Sequence, residues 1–107
     1  MKKLLAMCAT AAFFSFILLG PAAFAKGKSG GELFKENCSM CHPNGGNIIN
    51  PGFTLHKRDR EMHGVLNAED IIGKMRNPGP GMTRFDKKTI PDNDARKIAE
   101  YILKTLK

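Results

Sequence analysis

Two thiols and an imidazole fall together at Cys38-Ser39-Met40-Cys41-His42, the tightest grouping of nucleophilic and metal-ligating side chains in the sequence. Cysteines with two residues between them, followed at once by histidine, suit covalent attachment of a haem. The thiols add across the two vinyl groups of the porphyrin as thioethers, and the spacing spans both vinyl positions on one turn. Placing His42 next to Cys41 puts its imidazole under the ring, where it reaches the iron. Ser39 and Met40 then point away from the ring.

Other chemistries use the same residues less well. A redox-active dithiol of the thioredoxin kind needs a strand and helix of a βαβ unit, and no segment here has a period-two strand pattern. A zinc finger would need His56 and His63, but the spacing is C-x2-C-x14-H-x6-H, and the second histidine gap is too long. A disulfide across two residues would constrain very little chain. Haem attachment is the reading that uses all three side chains.

A haem iron takes a sixth ligand or keeps that position open. Beyond the motif the candidates are His56, His63, Met62, Met75 and Met82. Met75 shares an apolar stripe with Ile71 and Ile72 and reads as core filler. Met62 pairs with Leu55 on one face, and His56 and His63 flank the charged run Lys57-Arg58-Asp59-Arg60-Glu61, which reads as solvated. Met82 differs. It follows Pro78-Gly79-Pro80-Gly81, a stretch with no helix to fill, where restricted backbone holds a thioether against a metal at low entropic cost.

These residues need a scaffold, and the chain has 107 residues to build it. The first quarter does not contribute. Lys2 and Lys3 precede an almost wholly apolar run from Leu4 to Leu19, and Ala23-Phe24-Ala25 supplies a small-residue cleavage site. The run is short for a membrane anchor. Residues 1–25 are expected to be a cleaved signal peptide, with export to the periplasm. Cys8 lies too early for a lipidation site, with most of the apolar run after it, and reads as an apolar residue of the discarded segment. The remaining 82 residues, 26–107, form one small domain whose only thiols are Cys38 and Cys41. A core that small needs a staple such as a bound group.

Without Lys2 and Lys3, 15 basic residues face 10 acidic ones, a formal charge of +5. Export and the lack of aromatic-basic interleaving argue against nucleic acid. The excess instead favours redox partners with acidic docking patches, with Lys57, Arg58, Arg60, Lys87 and Lys88 available for steering. The exposed haem edge is expected near the thioether side.

Four helices are predicted. Ser29 or Gly30 opens the first, which ends near Asn37; Thr54 to His63 forms a short second, stopped by Gly64. Asn67 caps the third, which ends at Asn77-Pro78. Pro91 and Asp92 open the fourth, with Ala95, Ile98, Ala99, Ile102, Leu103 and Leu106 on one face. The fold class is all-α.

Taken in order, Gly31-Glu32-Leu33-Phe34, the Cys38–His42 motif, Gly45-Gly46-Asn47, Ile48-Ile49-Asn50-Pro51, Thr54-Leu55, Met82, Phe85 and Ala99-Glu100-Tyr101-Ile102 resemble class I cytochromes c. The similarity is greatest to the cytochrome c6 (c553) group, and Asn77 to Met82 resembles the c6-like monohaem cytochromes of metal-reducing bacteria. The resemblance implies a small cytochrome c fold of about four helices around one covalently bound haem c. Cys38 and Cys41 would bind the cofactor, and His42 and Met82 the iron. It also implies that the first and last helices cross with Phe34 and Tyr101 at the crossing. A carbonyl near Pro51 would accept the Nδ1 proton of His42, and Phe85 would pack under the methionine loop. Many relatives carry proline directly after the ligand methionine, whereas Thr83 follows here.

The function expected is periplasmic electron transfer, not catalysis, by a monomer with no stable membrane span in its mature form. The alternative is a labile sixth ligand, giving a gas-binding or peroxidase-like protein.

Overall fold

The computed structural model describes residues 27–107, so the expected signal segment and its cleavage point lie outside the described residues. Four helices follow in order: α1 (Gly30–Asn37), α2 (Lys57–Met62), α3 (Ala68–Arg76) and α4 (Asp92–Thr105), with a 3₁₀ turn at Pro43–Gly45. No strand occurs among the described residues. The expected all-α class is what the chain adopts.

Local chemistry explains the ends. The Ser29 hydroxyl accepts from the Glu32 N–H at 3.2 Å, and the Glu32 carboxylate accepts from the Ser29 N–H at 2.8 Å, a reciprocal cap that starts α1. Asn67 caps α3 by accepting from the Asp70 N–H at 2.9 Å. That helix stops at Arg76, because the residue before Pro78 is pushed out of helical conformation.

The long helix α4 packs on both α1 and α3. Its buried face is Ala95, Ile98, Ala99, Ile102 and, just beyond the last turn, Leu106, while Leu103 is only half-buried. Where α4 crosses α1, the Phe34 and Tyr101 rings lie 5.3 Å apart at 44°. The approach is close enough that a β-carbon at Gly30 would collide with the Lys97 carbonyl. Ile71 and Met75 bring α3 into the same core. Each fully buried isoleucine, such as Ile98, stabilises the fold by about 1.5–3 kcal/mol relative to an exposed one.

The second helix differs from expectation. His56 is extended, with φ −67° and ψ 150°, so helical winding begins only at Lys57. Leu55 therefore lies outside the helix, and Met62, expected to share its face, turns outward at 64% exposure. Arg60 takes the inward position instead, at 5% exposure, contrary to its place in a charge run that the sequence marks as solvated.

Candidate haem site

The last turn of α1 runs directly into the cysteine motif. The Cys38 N–H donates to the Phe34 carbonyl at 2.8 Å, and the Cys41 and His42 N–H groups both donate to the Cys38 carbonyl, at 3.1 and 2.8 Å. This turn faces Cys38 and His42 inward and leaves Cys41 exposed. Burial pushes the Cys38 thiol up to about 11, with the neighbouring Cys41 adding to the shift. A thiol held protonated at neutral pH is ill suited to dithiol exchange or thiolate metal binding.

The His42 ring is fixed by one bond, from Nδ1 to the Gly46 carbonyl at 2.8 Å. A carbonyl only accepts, so Nδ1 carries the proton and Nε2 keeps its lone pair. The acceptor is Gly46 and not a carbonyl near Pro51. The 3₁₀ turn at Pro43–Gly45 curls the chain back, bringing the carbonyl four residues along beneath the imidazole. Such a partner orients a metal-binding histidine and raises its basicity.

Asn47 shapes the next wall. Its side-chain oxygen accepts from the Ile49 and Asn50 N–H groups, and its amide donates to the Phe53 carbonyl at 3.0 Å. The loop carrying Met82 forms a further wall. Gly81 enters it at φ 89°, a conformation that suits glycine. The loop's far end is tied to α3 by the Phe85 N–H to the Met75 carbonyl, 2.9 Å, and by Arg84 Nε to the Arg76 carbonyl, 3.0 Å. Arg76 returns two bonds, to the Phe85 carbonyl at 3.1 Å and the Ile90 carbonyl at 2.8 Å, and pairs with Asp92 at 2.9 Å. Nothing local in the sequence pointed to this clamp.

Between the walls lie two adjoining cavities of about 410 and 100 Å³. Cys38, His42 and Met82 border both, and Cys41 borders the smaller. Val65, Ile71, Met75, Ile98 and Ile102 line the larger one, and Phe85 the smaller. The residues present fit a haem: a mainly apolar slot bordered by two thiols, an imidazole and a thioether.

The remaining candidates fall elsewhere. His56 borders neither cavity and donates from Nδ1 to the Lys107 carbonyl at 3.3 Å. Met62 is exposed, and Met75 is buried core on the cavity wall. His63, read as solvated, sits at the rim of the larger cavity. It stacks on Phe53 with ring centres 3.9 Å apart and donates from Nε2 to the Gly52 carbonyl at 3.1 Å.

A slot of this chemistry between helices of this order defines a small c-type cytochrome domain. The family model described as cytochrome c oxidase, cbb3-type, subunit III, matches residues 25–102. Cytochrome c6 of Nostoc is 33% identical over 104 residues, spanning 96% of this chain and 93% of its own length. OmcF, the outer membrane cytochrome F of Geobacter sulfurreducens, superposes with a TM-score of 0.72 at 44% identity, over 74% of this chain and all of its own. Cytochrome c6C of Synechococcus superposes with a TM-score of 0.68 at 25% identity, over 74% of this chain and 95% of its own.

The chain belongs to the c6-like monohaem class I c-type cytochromes, and with that membership comes one covalently bound haem c and a role in electron transfer. No helix among the described residues is long and apolar enough to cross a membrane.

Proposed function

We propose that the chain is an exported, diffusible one-electron carrier that acts in the periplasm after removal of residues 1–25. Its haem is held by thioethers from Cys38 and Cys41, with His42 and Met82 as the axial pair. The observation that carries this reading is that all four side chains border one cavity. A haem with this neutral, strong-field pair supplies one-electron chemistry with little change of geometry, and the thioether favours the ferrous state.

The protein's own groups do the rest. Gly46 fixes the imidazole of His42, the clamp at Arg76 fixes the base of the Met82 loop, and Val65, Ile71, Met75, Ile98 and Ile102 supply an apolar wall. Redox partners with acidic patches are the expected docking surface.

Axial ligation tests the reading. The ferric protein is expected to show the weak near-infrared methionine-to-iron band, lost in Met82→Ala and kept in Met62→Ala. A high-spin ferric spectrum of the unaltered protein overturns the closed site and favours a gas-binding or peroxidase-like role. Colour that stays with the protein through acid-acetone extraction, and is lost in Cys38→Ala/Cys41→Ala, supports the two thioethers. A mature mass beginning at Lys26 supports export and cleavage.

A further inference from the structure

Arg60 is set apart from the charge run in which it lies. Its neighbours Lys57 and Arg58 are exposed, whereas Arg60 is 5% exposed and borders the larger cavity. Its Nε donates to the Leu55 carbonyl at 2.7 Å and its Nη2 to the Leu106 carbonyl at 3.3 Å. These bonds occupy two of five N–H donors and bring no negative charge. None of the six ion pairs among the described residues includes Arg60.

The other ionisable groups around the cavity do not compensate it. Asp59 borders the cavity as an anion, but its carboxylate is turned to the Thr54 hydroxyl and forms no ion pair with Arg60. Lys74 is a second cation, and His63 is occupied with Gly52 and Phe53. Cys38 is a neutral thiol at pH 7, and His42 donates to Gly46. A buried cation without a counter-charge is strongly unfavourable, and an apolar side chain there would serve the fold better. The counter-charge must come from what the cavity holds.

We propose that Arg60 is the anchor for a carboxylate of the haem, its guanidinium pairing with one propionate when the group is seated. This rests on the reading that the cavity is the haem site. The planar fork suits a carboxylate in two parallel bonds, which a lysine ammonium cannot reproduce. Pairing also neutralises a negative charge near the iron, in surroundings of low dielectric. Without it, that charge stabilises the ferric state.

The test combines two variants with the structure of the unaltered holoprotein. In Arg60→Met the equilibrium constant for reduction is expected to fall about tenfold, which for one electron is about 59 mV. The apparent pKa of the propionate, followed through haem-methyl proton shifts, rises in the same variant. Arg60→Lys keeps the charge without the fork and shows a smaller fall. A purely packing role for Arg60 would leave the propionate titration unmoved. Unchanged potential and unchanged titration in folded Arg60→Met overturn the proposal.

Should the variants fail to mature, the crystal structure of the unaltered holoprotein decides. A propionate oxygen within hydrogen-bond reach of the Arg60 guanidinium supports the proposal. A haem in this cavity with both carboxylates away from Arg60 overturns it alone, and a haem elsewhere overturns the site reading as well.

Discussion

Arg60 is carried into the cavity by a short helix whose start is held by a pair of side chains, Thr54 and Asp59. The Thr54 hydroxyl donates to the Asp59 carboxylate and accepts from the His56 N–H at 3.3 Å, bracing the extended residues before α2. That hydroxyl is the main reason the Asp59 carboxyl is held below the usual carboxylate range, with Arg58 and His63 assisting. A carboxylate whose pKa is lower in the folded than in the unfolded chain adds stability above the unfolded value, and this is lost as pH falls through the folded value. Thr54→Val is therefore expected to raise the Asp59 pKa, read by NMR titration of its carboxyl carbon. The stability gap between the two proteins should be full at neutral pH and shrink as pH drops below the ordinary carboxylate range. A gap that stays constant down to the acid transition would assign the effect to packing and not to this bond.

The Met82 loop is held from its base, since its own internal bond, from the Met82 N–H to the Gly79 carbonyl, is long at 3.5 Å. Arg76, at the end of α3, therefore governs how firmly the thioether is presented. Arg76→Gln leaves the Phe85 and Ile90 carbonyls without these donors, a loss of about 1–3 kcal/mol for such partly buried groups. The near-infrared methionine band is then expected to disappear on warming well before global unfolding seen by far-ultraviolet circular dichroism. Simultaneous loss of the two signals would show that Arg76 supports only the fold. This clamp also marks where reading the sequence stops. The cysteine motif, the cap at Ser29, the cap at Asn67 and the stripe along α4 are legible because each depends on residues within a few positions of one another. Met82 was legible for a similar reason, from the prolines and glycines just before it. The inward turn of Arg60 was not, because it depends on the Leu106 carbonyl 46 residues away, and a charge run is normally solvated. Likewise Arg76 meets Ile90 across 14 residues, and the Gly46 acceptor follows from the curl of a turn that the sequence marks only as irregular.

Moving Arg60 inside changes which charges are left to meet a partner. Of the cations expected to steer, Lys57 pairs with Glu61 at 3.8 Å and Lys87 with Asp92 at 3.3 Å, while Arg58 and Lys88 are exposed and enter none of the ion pairs among the described residues. A surface cation already beside a carboxylate presents little net charge at a distance, so the long-range field rests more on Arg58 and Lys88 than on their neighbours. Ile49 and Phe53 line the cavities and stand exposed, giving an apolar contact area once encounter has occurred. The division of labour is then electrostatic approach followed by apolar contact. Steering of this kind is worth about ten- to a thousandfold in association rate for a whole surface, so reversing one unpaired cation should slow association roughly a few-fold. Arg58→Glu and Lys88→Glu are expected to lower the second-order rate of electron transfer with an acidic redox protein at low ionic strength. Lys57→Gln should have a smaller effect, since it changes the charge by one unit where each reversal changes it by two. All of these differences should fade as salt is raised past the point where the Debye length, about 8 Å at physiological ionic strength, falls below the encounter distance. Stopped-flow rates measured across a salt series check this. Rates that ignore both salt and the two reversals would place the docking face on the apolar rim alone.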